Sequence, residues 1–193
     1  HVLIPRQDTE TLVELVLSEH KEKNISLLDV CTGSGCIAIS LAKLGGYTDV
    51  TALDLSEEAL KVARSNGEKL LDQPVNFIKS DMFSALDPEK QYDVIVSNPP
   101  YIPSQVIEGL EPEVKDHEPR MALDGEPDGL KFYRILAEEG KKYLKNGGSI
   151  YMEIGWDQAK DVTEIFEAMG FSGLRTVRDM AGNDRVVCAR KEK

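Results

Sequence analysis

The chain has 193 residues, which fits one domain with a full hydrophobic core better than two domains. Its composition, 41% hydrophobic and 30% charged, is ordinary for a globular protein in water, and no apolar run approaches the ~20 residues of a membrane span. The net charge of −11 argues against duplex nucleic acid as the main partner, because proteins that neutralise many phosphates normally carry a basic face.

Predicted helices and strands alternate from the start of the chain. An amphipathic stripe predicts a helix over residues 9–23, and the apolar run 26–30 is typical of a buried parallel strand. A turn at 32–35 leads into a helix over 37–44, which Gly45 and the glycine after it should end. The first third of the chain therefore has the order helix, strand, helix.

The next two strands are predicted to end at acidic residues. Residues 49–53 form a strand that ends at Asp54, and residues 75–78 form one that ends near Asp81. Between them, Ser56 is a good helix N-cap because two glutamates follow it in the first turn. The helix after this cap is expected to bury Ala59, Val62, Ala63 and Leu70.

The second half continues the alternation after a long irregular segment. A strand over 92–96 ends at Asn98-Pro99-Pro100-Tyr101, and residues 102–128, with four prolines, form a loop of a length usually linked to function or disorder. The remaining predicted elements are a helix over 128–145, a strand over 149–154, a helix over 157–169, and strands over 171–177 and 185–189.

This order predicts an α/β fold, a doubly wound and mostly parallel sheet of seven strands, in a single domain over residues 1–193. The last two predicted strands are joined by only 178–184, too short for a crossover helix, so the last strand is expected to run antiparallel. Such a sheet resembles the class I S-adenosylmethionine-dependent methyltransferase fold.

Three groups fall where ligands of open α/β sheets bind, at the carboxyl ends of strands. In the turn Thr32-Gly33-Ser34-Gly35, small residues permit close backbone approach, and the following helix offers backbone N–H groups to an anion. Asp54 is placed to accept hydrogen bonds from the hydroxyls of a ribose, and Asp81 from an adenine amino group. Each feature alone is weak, but together they indicate a nucleoside-like cofactor.

The tetrapeptide Asn98-Pro99-Pro100-Tyr101 carries the most chemical information in the chain. A planar NH2 group needs two acceptors, and the Asn98 side chain and the Pro99 carbonyl are suited to supply them. Tyr101 is placed to pack on the planar group. Such a site would align a poorly nucleophilic amide nitrogen with an activated methyl group, and it offers no titratable base.

Other side chains have simpler interpretations. Three scattered cysteines fit reduced cytosolic thiols better than a disulfide framework or a zinc site, so no metal is expected. Cys31 is interpreted as a small buried filler, His117 as a solvated loop residue, and Trp156 as packing under the sheet edge.

Together these residues resemble the release-factor glutamine methyltransferases, the protein-(glutamine-N5) methyltransferases. The resemblance covers nearly the whole chain and includes residues 3–10, 32–35, 98–101, 118–123, 128–130 and 184–187. It implies a cytoplasmic enzyme that uses S-adenosylmethionine and releases S-adenosylhomocysteine. The turn residues Thr32, Gly33, Ser34 and Gly35 with Asp54, Asp81 and Asn98 would hold the cofactor, and residues 98–101 would hold a glutamine amide.

The implied substrate is the glutamine of a Gly-Gly-Gln motif in peptide-chain release factors, with no membrane or direct nucleic-acid partner. Two departures stand out. Cys31 stands where the family usually has glycine, and the small helical domain that precedes the catalytic domain in bacterial members is not in this sequence, which is expected to weaken substrate binding.

Two alternatives remain open. The Asn-Pro-Pro-Tyr motif is shared with methyltransferases of exocyclic amines in nucleic acids, including adenine-N6 enzymes. A basic channel leading to Asn98 would favour that reading. A module that kept the cofactor fold but lost activity is the other, and a failure to bind cofactor would favour it.

Overall fold

The protein, described here from a computed structural model, is traced for residues 2–115 and 117–192. Its seven strands form one sheet: β1 (Ser26–Val30), β2 (Asp49–Asp54), β3 (Asn76–Lys79), β4 (Tyr92–Ser97), β5 (Leu144–Glu153), β6 (Phe171–Arg178) and β7 (Asp184–Lys191). Their order is β3-β2-β1-β4-β5-β7-β6, with β7 antiparallel to both of its neighbours. The predicted parallel sheet with an antiparallel last strand is confirmed; residues 1, 116 and 193 of the predicted domain lie outside the described residues.

The helices are α1 (Glu10–Glu19), α2 (Cys36–Gly45), α3 (Glu57–Leu70), α4 (Ser104–Ile107), α5 (Pro112–Lys115), α6 (Lys131–Glu138), α7 (Gly140–Tyr143) and α8 (Ala159–Ala168). Short 3-10 turns cover Gln7–Thr9 and Arg120–Ala122. Within the traced ranges, no helix has both the length and the apolar character that crossing a membrane requires.

The sheet is covered on both faces, as its continuous apolar strands require. On one face, Leu28 and Val30 of β1 belong to a core cluster with residues of α6 and α8. On the other, Leu27 belongs to a cluster with residues of α1 and α2. Alternate β1 side chains thus enter opposite layers, which explains why all five of its residues are buried.

Helix α1 ends at Glu19, earlier than the predicted 9–23. His20 leaves the helix with ψ of 87° and takes two tyrosine partners. Its carbonyl accepts from Tyr47 Oη at 2.6 Å, and its Nε2 lies 2.8 Å from Tyr151 Oη. Tertiary hydrogen bonds therefore override the amphipathic pattern at this end.

In α3 the Ser56 cap is confirmed, because Ser56 Oγ accepts from Ala59 N at 3.2 Å. The expected burial of Leu70 is wrong, since that side chain is 50% exposed. The buried stripe of α3 passes instead through Gly67, where an added Cβ would lie 3.3 Å from the Phe77 ring. Phe77 fills that layer, and Leu70 lies one turn beyond it.

The predicted helix 128–145 is also corrected. Its first residues form a turn, because Asp128 Oδ1 accepts from Leu130 N at 3.0 Å, so α6 starts only at Lys131. At the other end, the buried Leu144 pairs with Tyr92 and begins β5. The glycines after Asn146 form an irregularity within this strand and do not precede it.

The sheet order reverses between β1 and β4, and this switch positions the site. Chain connections leave β1 towards β2 on one side and return to β4 on the other, so a crevice opens at their carboxyl ends. The loops after β1, β2, β3 and β4 meet there.

Candidate active site

A cleft opens at the carboxyl ends of β1, β2, β3 and β4. Seven of the sequence-predicted site residues line it: Thr32, Gly33, Ser34, Asp54, Asp81, Asn98 and Pro100. The other three predicted site residues, Gly35, Pro99 and Tyr101, do not line the cleft.

The turn after β1 takes an irregular, left-handed path. Cys31, Gly33 and Gly35 have φ angles of 63°, 57° and 80°. Thr32 N donates to Leu53 O at 2.8 Å, which ties this turn to the end of β2. Gly33 lines the cleft with no atom within 4 Å of an added Cβ, so its backbone is open to a ligand.

Gly35 has the opposite surroundings. A Cβ there would lie 3.0 Å from Ile39 Cδ1 and 3.1 Å from Ala63 Cβ, at the contact of α2 with α3. Gly35 thus serves the packing of the turn on the helices, whereas Gly33 lines the cleft. The predicted glycine turn is one structural unit whose two glycines have different tasks.

Replacing Gly35 with alanine is expected to lower the free energy of unfolding by about 2–3 kcal/mol, because a left-handed φ costs about 1–2 kcal/mol for a non-glycine residue and the contacts add to this. Gly33→Ala is the matched control, with the same backbone cost and no contact. It should lose less stability but more cofactor affinity. Urea unfolding and calorimetric cofactor titration measure both quantities; equal stability losses in the two variants would refute the assignment.

Asp29 accepts hydrogen bonds from the turn after β1 and from α2, and it was not predicted as a site residue. It is fully buried, and its Oδ2 accepts from Thr32 Oγ1 at 2.6 Å and Ala38 N at 3.2 Å. Burial raises the pKa of Asp29 to about 7, although both hydrogen bonds lower it. The carboxyl group therefore orients the turn and titrates near neutral pH.

The raised pKa gives a signed prediction. A carboxyl group whose pKa is raised in the folded state, here from 3.8 to about 7, stabilises the fold at acidic pH and loses that contribution as pH rises towards 7. Between pH 5 and pH 7 the loss is roughly 2 kcal/mol. Asp29→Asn should remove it. The wild-type minus variant difference in unfolding free energy, measured at both pH values, should fall as pH rises; a constant difference would contradict the argument.

Asp54 is fixed by two backbone donors. Its Oδ2 accepts from Gly33 N and its Oδ1 from Ser56 N, both at 2.8 Å. The carboxylate thus joins the turn after β1 to the N-terminus of α3. Each carboxylate oxygen can accept more than one hydrogen bond, so acceptor capacity remains for a ligand at the cleft.

Cys31 lines the cleft floor and is only partly buried, so it is less enclosed than the filler that its sequence position predicted. Its Sγ lies 3.8 Å from Met82 Sδ, and Met82 also has a positive φ, of 48°. Burial raises the pKa of the Cys31 thiol far above its usual range, and Asp54 adds to this. The thiol is therefore a neutral, weakly nucleophilic wall of the cleft.

The tetrapeptide after β4 is anchored through its last residue. Tyr101 O accepts from Gln158 Nε2 at 2.9 Å, and an added Cβ on Gly129 would lie 2.4 Å from the same oxygen. The Tyr101 side chain packs against a core cluster and not into the cleft. Its expected stacking on a planar group therefore remains a prediction, while Asn98 and Pro100 do reach the cleft wall.

Gln158 also corrects the interpretation of Trp156. The tryptophan is 68% exposed on the turn before α8, so the expectation that it packs under the sheet edge is wrong. Gln158 is buried there instead, and its Oε1 accepts from Gly155 N at 3.0 Å. His117 is exposed, as expected of a solvated loop residue.

A roof over the cleft brings together two segments that are far apart in sequence. Arg6 Nη2 lies 3.1 Å from Glu118 Oε2, which joins the N-terminal segment to the loop before the Arg120–Ala122 turn. Residues from both segments line the cleft: Leu3, Pro5, Arg6, Thr9, Pro119, Met121 and Ala122. Both segments had appeared in the sequence resemblance, but no local signal indicated that they meet.

The cleft fits a nucleoside-like cofactor that carries a charged tail. It combines an open glycine backbone at Gly33, the fixed Asp54 carboxylate, and the Asp81 carboxylate at the end of β3. Apolar side chains such as Leu55, Met82 and Phe132 also line the cleft, as is usual for pockets that bind small molecules. The cofactor contacts of these residues stay predictions.

The known proteins that are similar to this chain are methyltransferases. The family described as "Methyltransferase small domain" matches residues 7–109. The release factor glutamine methyltransferase of Fusobacterium nucleatum is 46% identical over 98% of this chain, and this chain spans 54% of that protein. The release factor glutamine methyltransferase of Thermodesulfovibrio yellowstonii is 44% identical over 100% of this chain and 70% of its own length.

A solved structure agrees with these relatives. The protein-(glutamine-N5) methyltransferase (release factor-specific) from Alicyclobacillus acidocaldarius superposes with a TM-score of 0.59 and 31% identity. The match covers 98% of this chain and 95% of that one. Sequence and fold similarity therefore extend together over nearly all of this chain.

Proposed function

Because this chain belongs to the release factor glutamine methyltransferase family, we propose that it transfers a methyl group from S-adenosylmethionine to a glutamine side-chain nitrogen (N5). The proposed glutamine is that of the Gly-Gly-Gln motif in peptide-chain release factors. The observation that carries the proposal is the position of Asn98 on the wall of the same cleft that holds Gly33 and Asp54. An amide acceptor thus adjoins the proposed cofactor space.

The proposed cofactor contacts follow from the cleft wall. The turn Thr32-Gly33-Ser34-Gly35 and the N-terminus of α2 would face the methionine carboxylate, Asp54 the ribose hydroxyls, and Asp81 the adenine amino group. When bound, the cofactor supplies a methyl group activated by its neighbouring sulfonium. The protein's own residues then have to orient the acceptor nitrogen.

Asn98 and the Pro99 carbonyl are proposed to accept the two hydrogens of the glutamine NH2 group. This would fix the amide plane and hold the nitrogen within the ~3–3.5 Å that a reacting pair requires. The nitrogen would gain the methyl group from the sulfonium, with S-adenosylhomocysteine as the second product, and would lose one proton to solvent. Positioning of this kind is worth up to ~7–11 kcal/mol.

The same acceptors would stabilise positive charge that develops on the NH2 group in the transition state. No general base is needed before attack, because the amide nitrogen is neutral and its proton becomes acidic only as the new bond forms. The proposed contribution of Asn98 and the Pro99 carbonyl to catalysis is therefore to align the amide nitrogen and to accept its hydrogen bonds.

The charge of the cleft disfavours a nucleic-acid substrate. Among the described residues that line the cleft, Arg6 is the only one with a cationic side chain, and Asp54 and Asp81 have carboxylates. Arg6 is itself paired with Glu118. A phosphate backbone would need several cations along its path, which supports a protein substrate over an adenine-N6 or other exocyclic-amine substrate.

The proposal is tested by incubating the protein with methyl-labelled S-adenosylmethionine and one candidate substrate at a time. The substrates are a purified release factor, the same factor with its Gly-Gly-Gln glutamine changed to alanine, and DNA or RNA. Label on the unmodified factor alone is the expected result. Label on nucleic acid would replace the proposal with the alternative, and cofactor binding without any transfer would favour a binding-only module.

A further inference from the structure

Glu153, at the carboxyl end of β5, is a buried acid that the sequence analysis did not identify. Its side chain is 2% exposed, and its Oε2 has no hydrogen-bond partner among the described residues. Leaving a buried carboxylate oxygen unpaired is costly, and such exceptions call for an explanation in function.

The strand register places Glu153 beside Asn98. In the parallel pair of β4 and β5, Ser97 is opposite Met152, so the residues that follow them, Asn98 and Glu153, lie level at the edge where the cleft opens. Asn98 and Thr9 lie close enough to the Glu153 carboxyl group to lower its pKa. Of the two ends of an amide, only the NH2 group can donate to a carboxylate.

The backbone of Glu153 is held from two sides. Tyr133 Oη donates to Glu153 O at 2.9 Å from α6, and Val186 of β7 is its partner in the antiparallel ladder. One residue further on, Arg185 Nη1 donates to Ile154 O at 3.2 Å. The backbone that carries the Glu153 side chain is therefore fixed by the sheet.

We propose that Glu153 is a positioning residue that fixes the orientation of the Asn98 amide. Its carboxylate accepts from Asn98 Nδ2, which leaves Asn98 Oδ1 directed to the cleft as an acceptor for the substrate NH2 group. The identity of that substrate rests on the proposed function; the Asn98–Glu153 contact does not.

The orientation matters because the two ends of a side-chain amide have the same shape and opposite hydrogen-bonding character. If the Asn98 amide were reversed, its NH2 group would meet the NH2 group of the substrate, and neither could accept. The Glu153 carboxylate would select one orientation of the Asn98 amide, because it can accept from the NH2 group and would repel the carbonyl oxygen.

Several charged and titratable groups surround Glu153. Burial raises its pKa and Asp8 adds to this, whereas Thr9, Arg185 and Asn98 lower it, and the raising effects prevail. Tyr101, Tyr133 and Cys36 also lie within its electrostatic reach, and burial holds all three neutral by raising their pKa values. Glu153 is thus expected to protonate above the usual range of a glutamate, and its hold on Asn98 weakens as pH falls through that point.

The contact can be tested without activity, by NMR of the Asn98 side-chain NH2 group in 15N-labelled protein. Its shifts should follow one ionisation, with a pKa above the ordinary glutamate value, and Glu153→Gln should abolish that titration. Shifts that do not depend on pH, or that titrate equally in Glu153→Gln, would overturn the proposal. This readout decides the proposal even if the wild-type protein transfers no methyl group to any candidate substrate, an outcome that would count against the proposed function alone.

With transfer measurable, kcat should fall about 10-fold in Glu153→Gln, which keeps a weaker acceptor, and about 100-fold in Glu153→Ala. The cofactor Kd should change less than about threefold in both. Glu164→Gln, on the exposed face of α8, is the control and should match the wild type. Values of kcat within twofold of wild type in both Glu153 variants, or equal losses in kcat and cofactor affinity, would refute a positioning role.

Discussion

Replacing Asn98 with alanine is expected to lower kcat for methyl transfer by about 10²–10³-fold while the cofactor Kd stays within a few-fold of wild type. The magnitude is that of removing one hydrogen-bonding group that acts on the reacting centre. Asn98 is only one of several residues along the cleft, and the contacts assigned to the cofactor carboxylate and ribose lie at Gly33 and Asp54. Single-turnover transfer and calorimetric titration of the cofactor separate the two effects.

Asn76→Ala is a suitable control for this experiment. Asn76 is exposed at the amino end of β3, the opposite edge of the sheet from the cleft, so its replacement should leave both quantities unchanged. If Asn98→Ala retained normal turnover, the amide-clamp mechanism would be wrong. A large loss of cofactor affinity with kcat unchanged would instead make Asn98 a cofactor residue only.

Asp54→Ala is expected to raise the cofactor Kd by about 100-fold or more. The carboxylate accepts from Gly33 N and Ser56 N, and its proposed ribose contacts would be lost together with these bonds. Hydrogen bonds to charged groups contribute about 1.5–3 kcal/mol each, so losing even one or two of them accounts for the change. Calorimetric titration with S-adenosylhomocysteine measures this Kd without a turnover assay.

The variant should also unfold more easily, because two backbone N–H groups lose their acceptor. Asp54→Asn retains one acceptor oxygen and should lie between wild type and alanine in both Kd and stability. Asp72→Ala, in the exposed turn after α3, should change neither. An Asp54→Ala variant that binds cofactor with wild-type affinity would remove Asp54 from the site.

The fold was largely predictable from the sequence, because strong local patterns and topology agree. Five consecutive buried residues at Ser26–Val30 have one structural interpretation in a doubly wound sheet, and the short connection before β7 leaves no room for a crossover helix. The same reasoning located Asp54 and Asn98, since ligands collect at the carboxyl ends of strands. These predictions used the positions of residues along the chain and a general rule for the fold.

What the sequence did not reveal depends on contacts between distant segments. Arg6 and Glu118 meet over the cleft although 112 positions separate them, and neither has a local pattern that indicates a partner. Trp156 is exposed, whereas the polar Gln158 is buried, accepts from Gly155 N and donates to Tyr101 O. The proposed role of Glu153 is argued from strand register, which hydrophobic periodicity alone does not specify.

Left-handed backbone at Cys31 was also beyond prediction. The residue type favours ordinary backbone, yet its φ is 63°, and the two residues that follow it fix the path of the turn by donating from Thr32 N to Leu53 O and from Gly33 N to Asp54. A non-glycine residue can hold such a conformation where the surroundings over-determine it. Strain of this kind is set by tertiary contacts and is invisible in composition or spacing.

The central claim, methylation of a planar amide nitrogen, is tested most directly by locating the transferred group. A release factor incubated with the protein and S-adenosylmethionine is digested, and tandem mass spectrometry identifies the modified residue and atom. The account predicts one methyl group on the side-chain nitrogen of the Gly-Gly-Gln glutamine with the wild-type protein, formed about 10²–10³-fold more slowly by Asn98→Ala. A methyl group on any other residue, or equal modification by the Asn98→Ala variant, would contradict it.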